Sequence, residues 1–188
     1  MGKRYPNNLI LKTAVFLDRD GVITIPLKAN GKGYAPRSMS EFKLYDESDF
    51  SIKRIKLLGY LAIIVSNQPD VANGLLEESV LEQMNKKILL ELEIDEVNNC
   101  IHNQTLECFC RKPKAGMILN AASKWDIDLN KSWMVGDRDS DIESGRKAGC
   151  RTIYINRGWT GETGYKSDFI CSSLPEAVDL ISKFTIQN

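Results

Sequence analysis

The chain has 188 residues, enough for one domain of ordinary size that buries most of its apolar surface, and its 25 basic residues balance 25 acidic ones. That balance excludes a global field drawing in nucleic acid or an anionic membrane, so any affinity for an anion must come from a local cluster. The longest apolar stretches, near residues 61–65 and 15–17, fall far short of the roughly 20 residues a membrane span needs. Residues 1–8 are polar with no signal-peptide apolar region, so the expectation is a cytoplasmic, monomeric protein, a single domain over 1–188, without nucleic-acid or membrane partners.

In chain order, residues 11–17 read as a buried strand that ends abruptly at Asp18-Arg19-Asp20-Gly21. From 22 to 39 the composition turns to Gly, Pro, Lys and Asn, which predicts a loop or short hairpin. A helix is predicted over 46–58 from Phe50, Ile52, Ile55 and Leu58, with Gly59 as its stop. Residues 61–65 form a second buried strand. Over 77–92, Val80, Leu81, Met84, Ile88 and Leu92 share one face and charges the other, the clearest amphipathic helix in the chain. A third strand over 96–101 runs into a cysteine cluster, and a helix over 114–125 follows Pro113. Then come a strand over 132–135, a helix over 140–148 ended by Gly149, a strand over 151–155, a strand over 169–171 and a helix over 175–184. Short apolar strands alternating with amphipathic helices specify an α/β fold with a doubly wound parallel sheet.

Ligands in such sheets gather at the carboxyl ends of the strands. Three polar clusters fall there: Asp18 and Asp20 after the first strand, Ser66 and Asn67 after the second, Gly136 and Asp137 after the fourth. Hydrolysis of a phosphate ester needs a nucleophile, a proton donor for the leaving oxygen and positive charge for the phosphoryl oxygens. Asp18 and Asp20, one residue apart at a strand end, could supply the first two. A hard dication such as Mg²⁺ suits carboxylate and carbonyl donors. Taken singly these signals are bland, since Asp-x-Asp is commonly a loop or helix cap and Arg-Lys-Pro-Lys a solvated face; their weight lies in their order and placement.

Phe16-Leu17-Asp18-Arg19-Asp20-Gly21-Val22 resembles the first motif of the haloacid-dehalogenase superfamily. Val65-Ser66-Asn67-Gln68 is similar to the second, Arg111-Lys112-Pro113-Lys114 to the third, and Val135-Gly136-Asp137 with Asp139 and Asp141 to the fourth, all in the family's order. The resemblance implies a phosphatase with a Rossmann-like core and a minimal cap. It implies that Asp18 is the nucleophile, forming an aspartyl-phosphate, and Asp20 the general acid and then base. Ser66 and Asn67 would grip the phosphate and Lys112 neutralise charge. Mg²⁺ would be held by the side chains of Asp18 and Asp137 and the backbone carbonyl of Asp20, with Asp141 orienting its neighbours.

Cys100, His102, Cys108 and Cys110 offer four ligands, the number Zn²⁺ takes in closed structural sites, and His102 is the chain's sole histidine. The alternative is reduced surface thiols around an ordinary histidine. Cys150 and Cys171 read as packed thiols. A Cys-x-His and a Cys-x-Cys pair before Arg-Lys-Pro resembles the cap-poor subgroup holding heptose-bisphosphate and histidinol-phosphate phosphatases. Arg111 is the candidate for reading the substrate beyond the scissile phosphate, and the loop over 28–37, with Tyr34, could close over the pocket. Ser66-Asn67-Gln68 with Gly74, and the run from Arg111 to Met117, look like the heptose enzymes, whereas the short gap from His102 to Cys108 looks like the histidinol enzymes. Pro69-Asp70-Val71-Ala72-Asn73 departs from the Ser-Gly-Ile-Ala-Arg run of the heptose enzymes. The first expectation is a phosphatase for D-glycero-D-manno-heptose 1,7-bisphosphate; the alternatives are a histidinol-phosphate phosphatase, a zinc-stabilised binding protein without turnover, and a phosphotransferase.

Overall fold

The computed structural model describes residues 11–29, 32–158, 164 and 166–185. Strands β1 (Ala14–Leu17), β4 (Leu61–Asn67), β5 (Glu96–Cys100), β6 (Trp133–Gly136), β7 (Arg151–Ile155) and β8 (Phe169–Cys171) form one sheet in the order β5-β4-β1-β6-β7-β8. Every pairing in it is parallel, from Ala14 against Leu61 to Ile155 against Cys171. The Rossmann-like α/β sheet is therefore as expected. β2 (Leu27–Ala29) and β3 (Lys32–Tyr34) make the short antiparallel hairpin that stands in place of a large cap.

Why the central strands read as unbroken apolar runs is evident from their two faces. Val15, Leu17, Ala62, Ile64, Trp133, Val135, Ile153 and Ile155 enter one core with Ile52 and Ile55 of α1 (Ser48–Leu57), Leu81, Met84 and Ile88 of α2 (Glu78–Glu91), and Val178 and Ile181 of α5 (Leu174–Thr185). Ala14, Phe16, Ile63, Val65 and Met134 enter the other with Met117, Ile118 and Ala121 of α3 (Gly116–Trp125). On that second face Gly145 of α4 (Asp139–Ala148) lies so close that a Cβ there would meet Met134 Cβ at 2.5 Å. With each side chain of β1 buried on one face or the other, no polar residue is tolerated before the strand ends.

Two details differ from the sequence expectation. Phe50, one of the apolar positions whose spacing predicts this helix, is 60% exposed and lies under the Arg54 guanidinium, while Ser48, Ser51, Ile52 and Ile55 are the buried residues of α1. α3 begins at Gly116 rather than 114, since residues 112–115 form a turn and a Cβ at Gly116 would strike Phe109 O at 2.3 Å. Of the isolated thiols Cys150 is buried as expected, while Cys171 is only partly so and donates to Ser173 O. Among the described residues, no helix is long and apolar enough to cross a membrane.

Candidate functional site

β1 is flanked by β4 and β6, so the three strand ends that carry polar residues open side by side into a cleft of about 490 Å³. Asp18, Asp20, Ser66, Asn67, Arg111 and Lys112 all line it. Asp18 continues the sheet by donating its backbone N–H to Val135 O at 2.9 Å, and then the chain turns sharply. Ile23 and Thr24 donate back to Arg19 O, and Gly21 takes φ +99°, a left-handed conformation open to glycine. A Cβ on Gly21 would fall 2.2 Å from Asp137 Oδ2, so the bare glycine is what lets the fourth-motif carboxylate press against the turn.

At the floor, Lys112 is 4% exposed and its Nζ donates to Asp18 Oδ1 at 2.6 Å and Val65 O at 2.7 Å, and pairs with Asp141 Oδ1 at 2.7 Å. Burial alone would lower its pKa, but the two carboxylates overcome this and hold it well above the ordinary lysine range. Asp18 fares differently. Burial, together with the charges of Asp141 and Asp20, outweighs the Lys112 ammonium and pushes its carboxyl up to about 6. The asymmetry has one cause: Lys112 faces two anions, whereas Asp18 shares a single cation with other carboxylates. The floor therefore carries surplus negative charge.

Asp18, Asp137 and Asp141 place carboxylate oxygens within 4.8 Å of one another, all buried. Hard oxygen donors, crowded out of water with one ammonium between them, suit a divalent cation such as Mg²⁺. Asp141 also accepts the Arg138 N–H at 3.1 Å. Asp20 points its side chain elsewhere. Its carboxylate accepts from Arg19 Nη2 at 2.8 Å, Thr24 Oγ1 at 2.7 Å and Gln68 Nε2 at 2.8 Å. Burial raises its pKa, but these donors, led by the Arg19 guanidinium, prevail and hold it below the ordinary carboxylate value.

Several of these supports were not singled out in the sequence. Arg19 is wholly buried and Gln68 bridges Asp20 to Ser66 Oγ at 2.7 Å. Arg157, stacked on Tyr45 at 4.1 Å, donates Nε to Gly21 O at 3.0 Å and so pins the turn from the far side of β7. Asn67 reaches the cleft as expected, but its amide is engaged twice by the backbone of Lys112, at 3.0 Å each way. Its side chain thus ties the end of β4 to the loop that carries Lys112.

The second cluster lies beside the cleft. Cys100 Sγ is 3.6 Å from Cys108 Sγ and 3.5 Å from His102 Nδ1, and that nitrogen is 3.2 Å from Cys110 Sγ. Tetrahedral zinc with ligand bonds of about 2.0–2.3 Å requires ligand separations of roughly 3.5–3.8 Å. Two of these separations match that cage and the His102–Cys110 one is shorter, and the four donors, all within 4.8 Å of one another, could hold such an ion. Arg111 and Lys112 follow directly from it, and Arg111 Nη1 donates to His102 O at 3.4 Å.

The HAD-hydrolase-like family model matches residues 109–177. The D-glycero-beta-D-manno-heptose-1,7-bisphosphate 7-phosphatase of Pasteurella multocida is 30% identical over 185 residues, covering 91% of this chain and 97% of the relative. The D-glycero-alpha-D-manno-heptose-1,7-bisphosphate 7-phosphatase of Campylobacter jejuni is 36% identical over 148 residues, 76% of this chain and 81% of the relative. Among solved structures, the D,D-heptose 1,7-bisphosphate phosphatase of B. bronchiseptica, complexed with magnesium and phosphate, shares the fold with a TM-score of 0.78 at 24% identity, over 91% of this chain and 98% of that one. With its Asp18–Gly21 turn, buried lysine and acidic floor at the strand ends, the chain belongs to the haloacid-dehalogenase-like phosphatases and is a phosphoric monoester hydrolase of that family.

Proposed function

We propose that the chain removes the C7 phosphate of D-glycero-D-manno-heptose 1,7-bisphosphate through an aspartyl-phosphate on Asp18, a step toward nucleotide-activated heptose for surface polysaccharide. The observation that carries the chemistry is Lys112 Nζ gripping Asp18 Oδ1 at 2.6 Å on the floor of a cleft that Asp20 also lines. The substrate rests on the names of the relatives, which include both anomers of that sugar.

Lys112 fixes one oxygen of Asp18 and leaves the other to attack phosphorus. As the P–O bond to the sugar breaks, Asp20 gives its proton to the departing oxygen. Water then attacks the acyl phosphate, Asp20 takes the water proton, and Asp18 leaves as carboxylate with inorganic phosphate released. The resting Asp20, held ionised by Arg19, is in the form the second half-reaction uses. It takes up a proton for the first half when the negative phosphoryl group arrives beside it. Ser66 Oγ and Lys112 bind phosphoryl oxygens, and Arg111 reaches past the scissile phosphate. Asp18 and Asp137, with the backbone carbonyl of Asp20, would hold Mg²⁺, which when bound neutralises phosphoryl oxygens and the surplus charge of the floor. Zn²⁺ on Cys100, His102, Cys108 and Cys110 would keep the loop that presents Arg111 and Lys112 in shape.

Turnover of the heptose bisphosphate with Mg²⁺ should exceed that of histidinol phosphate and simple sugar phosphates by at least tenfold in kcat/KM. Asp18→Asn should abolish it. A preference for histidinol phosphate would overturn the substrate, and full activity in Asp18→Asn the mechanism.

A further inference from the structure

At the floor of the cleft, Asp18 and Asp141 engage Lys112, and Arg19 engages Asp20. Three guanidinium groups remain at the mouth. Arg37 comes from the chain after β3, Arg111 from the loop after β5, and Arg138 from the turn after β6. The carboxylate lining the mouth beside them is Asp70, and it is spent on Arg37, whose Nε lies 2.7 Å from Asp70 Oδ2. Arg138 Nη2 is tied to Gly33 O of β3 at 3.0 Å. The rim is therefore cationic, and its arginines are oriented by bonds that engage one edge of the fork rather than left to wander.

The Arg37–Asp70 pair depends on a carboxylate at position 70, in the loop after β4. The pair also joins the strand-following loop of β3 to the loop after β4, across the cleft opening. Arg37 N–H donates to Glu41 Oε2 at 2.8 Å, which fixes the backbone from which the side chain springs. A guanidinium held by Nε still presents its other edge, the geometry in which arginine takes a phosphate through paired donors.

We propose that Arg37, set in place by Asp70, and Arg138, set in place by Gly33 O, read the distal anionic group of the substrate, so that this chain selects a sugar carrying two phosphates over the same sugar carrying one. The inference rests on the phosphatase reading above and adds specificity residues that its chemistry does not require. Its test compares heptose 1,7-bisphosphate with heptose 7-phosphate, which present the same scissile ester. In the wild type the bisphosphate is favoured in kcat/KM. Arg37→Ala and Arg138→Ala each lower that ratio tenfold or more, chiefly through KM, while Arg37→Lys, which keeps the charge but not the fork, recovers part of it. Asp70→Asn lowers it by a smaller factor, because the fork persists without its orientation. A ratio within twofold of wild type in both alanine variants overturns the proposal. Should the wild type prefer some other ester, the heptose reading fails separately, and the ratio for fructose 1,6-bisphosphate over fructose 6-phosphate reads the same arginines.

Discussion

Replacing Lys112 by Met withdraws the buried ammonium that touches Asp18, Asp141 and Val65 O at the floor of the cleft. Methionine fills similar volume, so the loss is electrostatic. Breaking a buried ion pair by deleting one partner costs about 3–5 kcal/mol, because the remaining charges stay buried and uncompensated. In a chain of this size about 2–4 °C of Tm goes with each kcal/mol, so the variant should melt roughly 6–20 °C lower. Urea unfolding at pH 7.5 in EDTA, followed by tryptophan fluorescence, measures it directly, with Trp133 in the core as reporter. Adding Asp18→Asn to Lys112→Met should return part of the loss, since it removes one of the stranded charges. A Lys112→Met variant within about 1 kcal/mol of wild type, or a double variant no more stable than the single one, would refute the charge balance drawn for the floor.

Three more outcomes follow from the site. Asp18 has its pKa raised from 3.8 to about 6, so the metal-free fold holds a proton that the unfolded chain has already lost between those values. Its contribution to stability thus declines as pH rises through that window, by roughly 3 kcal/mol in all; denaturation in EDTA from pH 4 to 7 should show the fall, and Mg²⁺ should reverse it while binding more weakly as pH drops below 6. Gly21→Ala should weaken Mg²⁺ binding at least tenfold in calorimetric titration, because its methyl would collide with Asp137 while φ is +99°; unchanged affinity would mean that Asp137 is no ligand. Purified protein should contain about one zinc per chain, and Cys108→Ser should lose it, melt lower and raise KM; a zinc-free wild type would end that reading.

Much of the site was legible because its chemistry sits at strand ends, where an apolar run stops on a charge. That Asp18, Ser66 and Asp137 lie at neighbouring strand ends needed only that rule and the parallel order of the strands. The cluster of Cys100, His102, Cys108 and Cys110 was legible through local spacing, since all four lie within eleven residues. What escaped was support that arrives from far along the chain. Arg157 is 136 residues from Gly21, and Gln68 is 48 from Asp20, with nothing in either neighbourhood to announce the pairing. The amide of Asn67 also matches the two hydrogen-bonding groups of the facing Lys112 backbone, a use no spacing reveals. The exposure of Phe50 escaped for a related reason: helical periodicity gives a face its width only when the depth of the neighbouring element is known.

The position of β1 in the middle of the sheet also sets when the enzyme can first work. Its partners are β4 on one side and β6, whose residue 133 pairs with residue 15, on the other. A growing chain that has just emerged as far as β4 holds the Asp18 carboxylate on a strand with one open edge, and the acidic partner at 137 has yet to be made. Contacts this distant in sequence form late and slowly. Newly synthesised molecules should gain ester-cleaving ability in a single late step, after the second half of the sheet has docked, and incomplete translation products should have none.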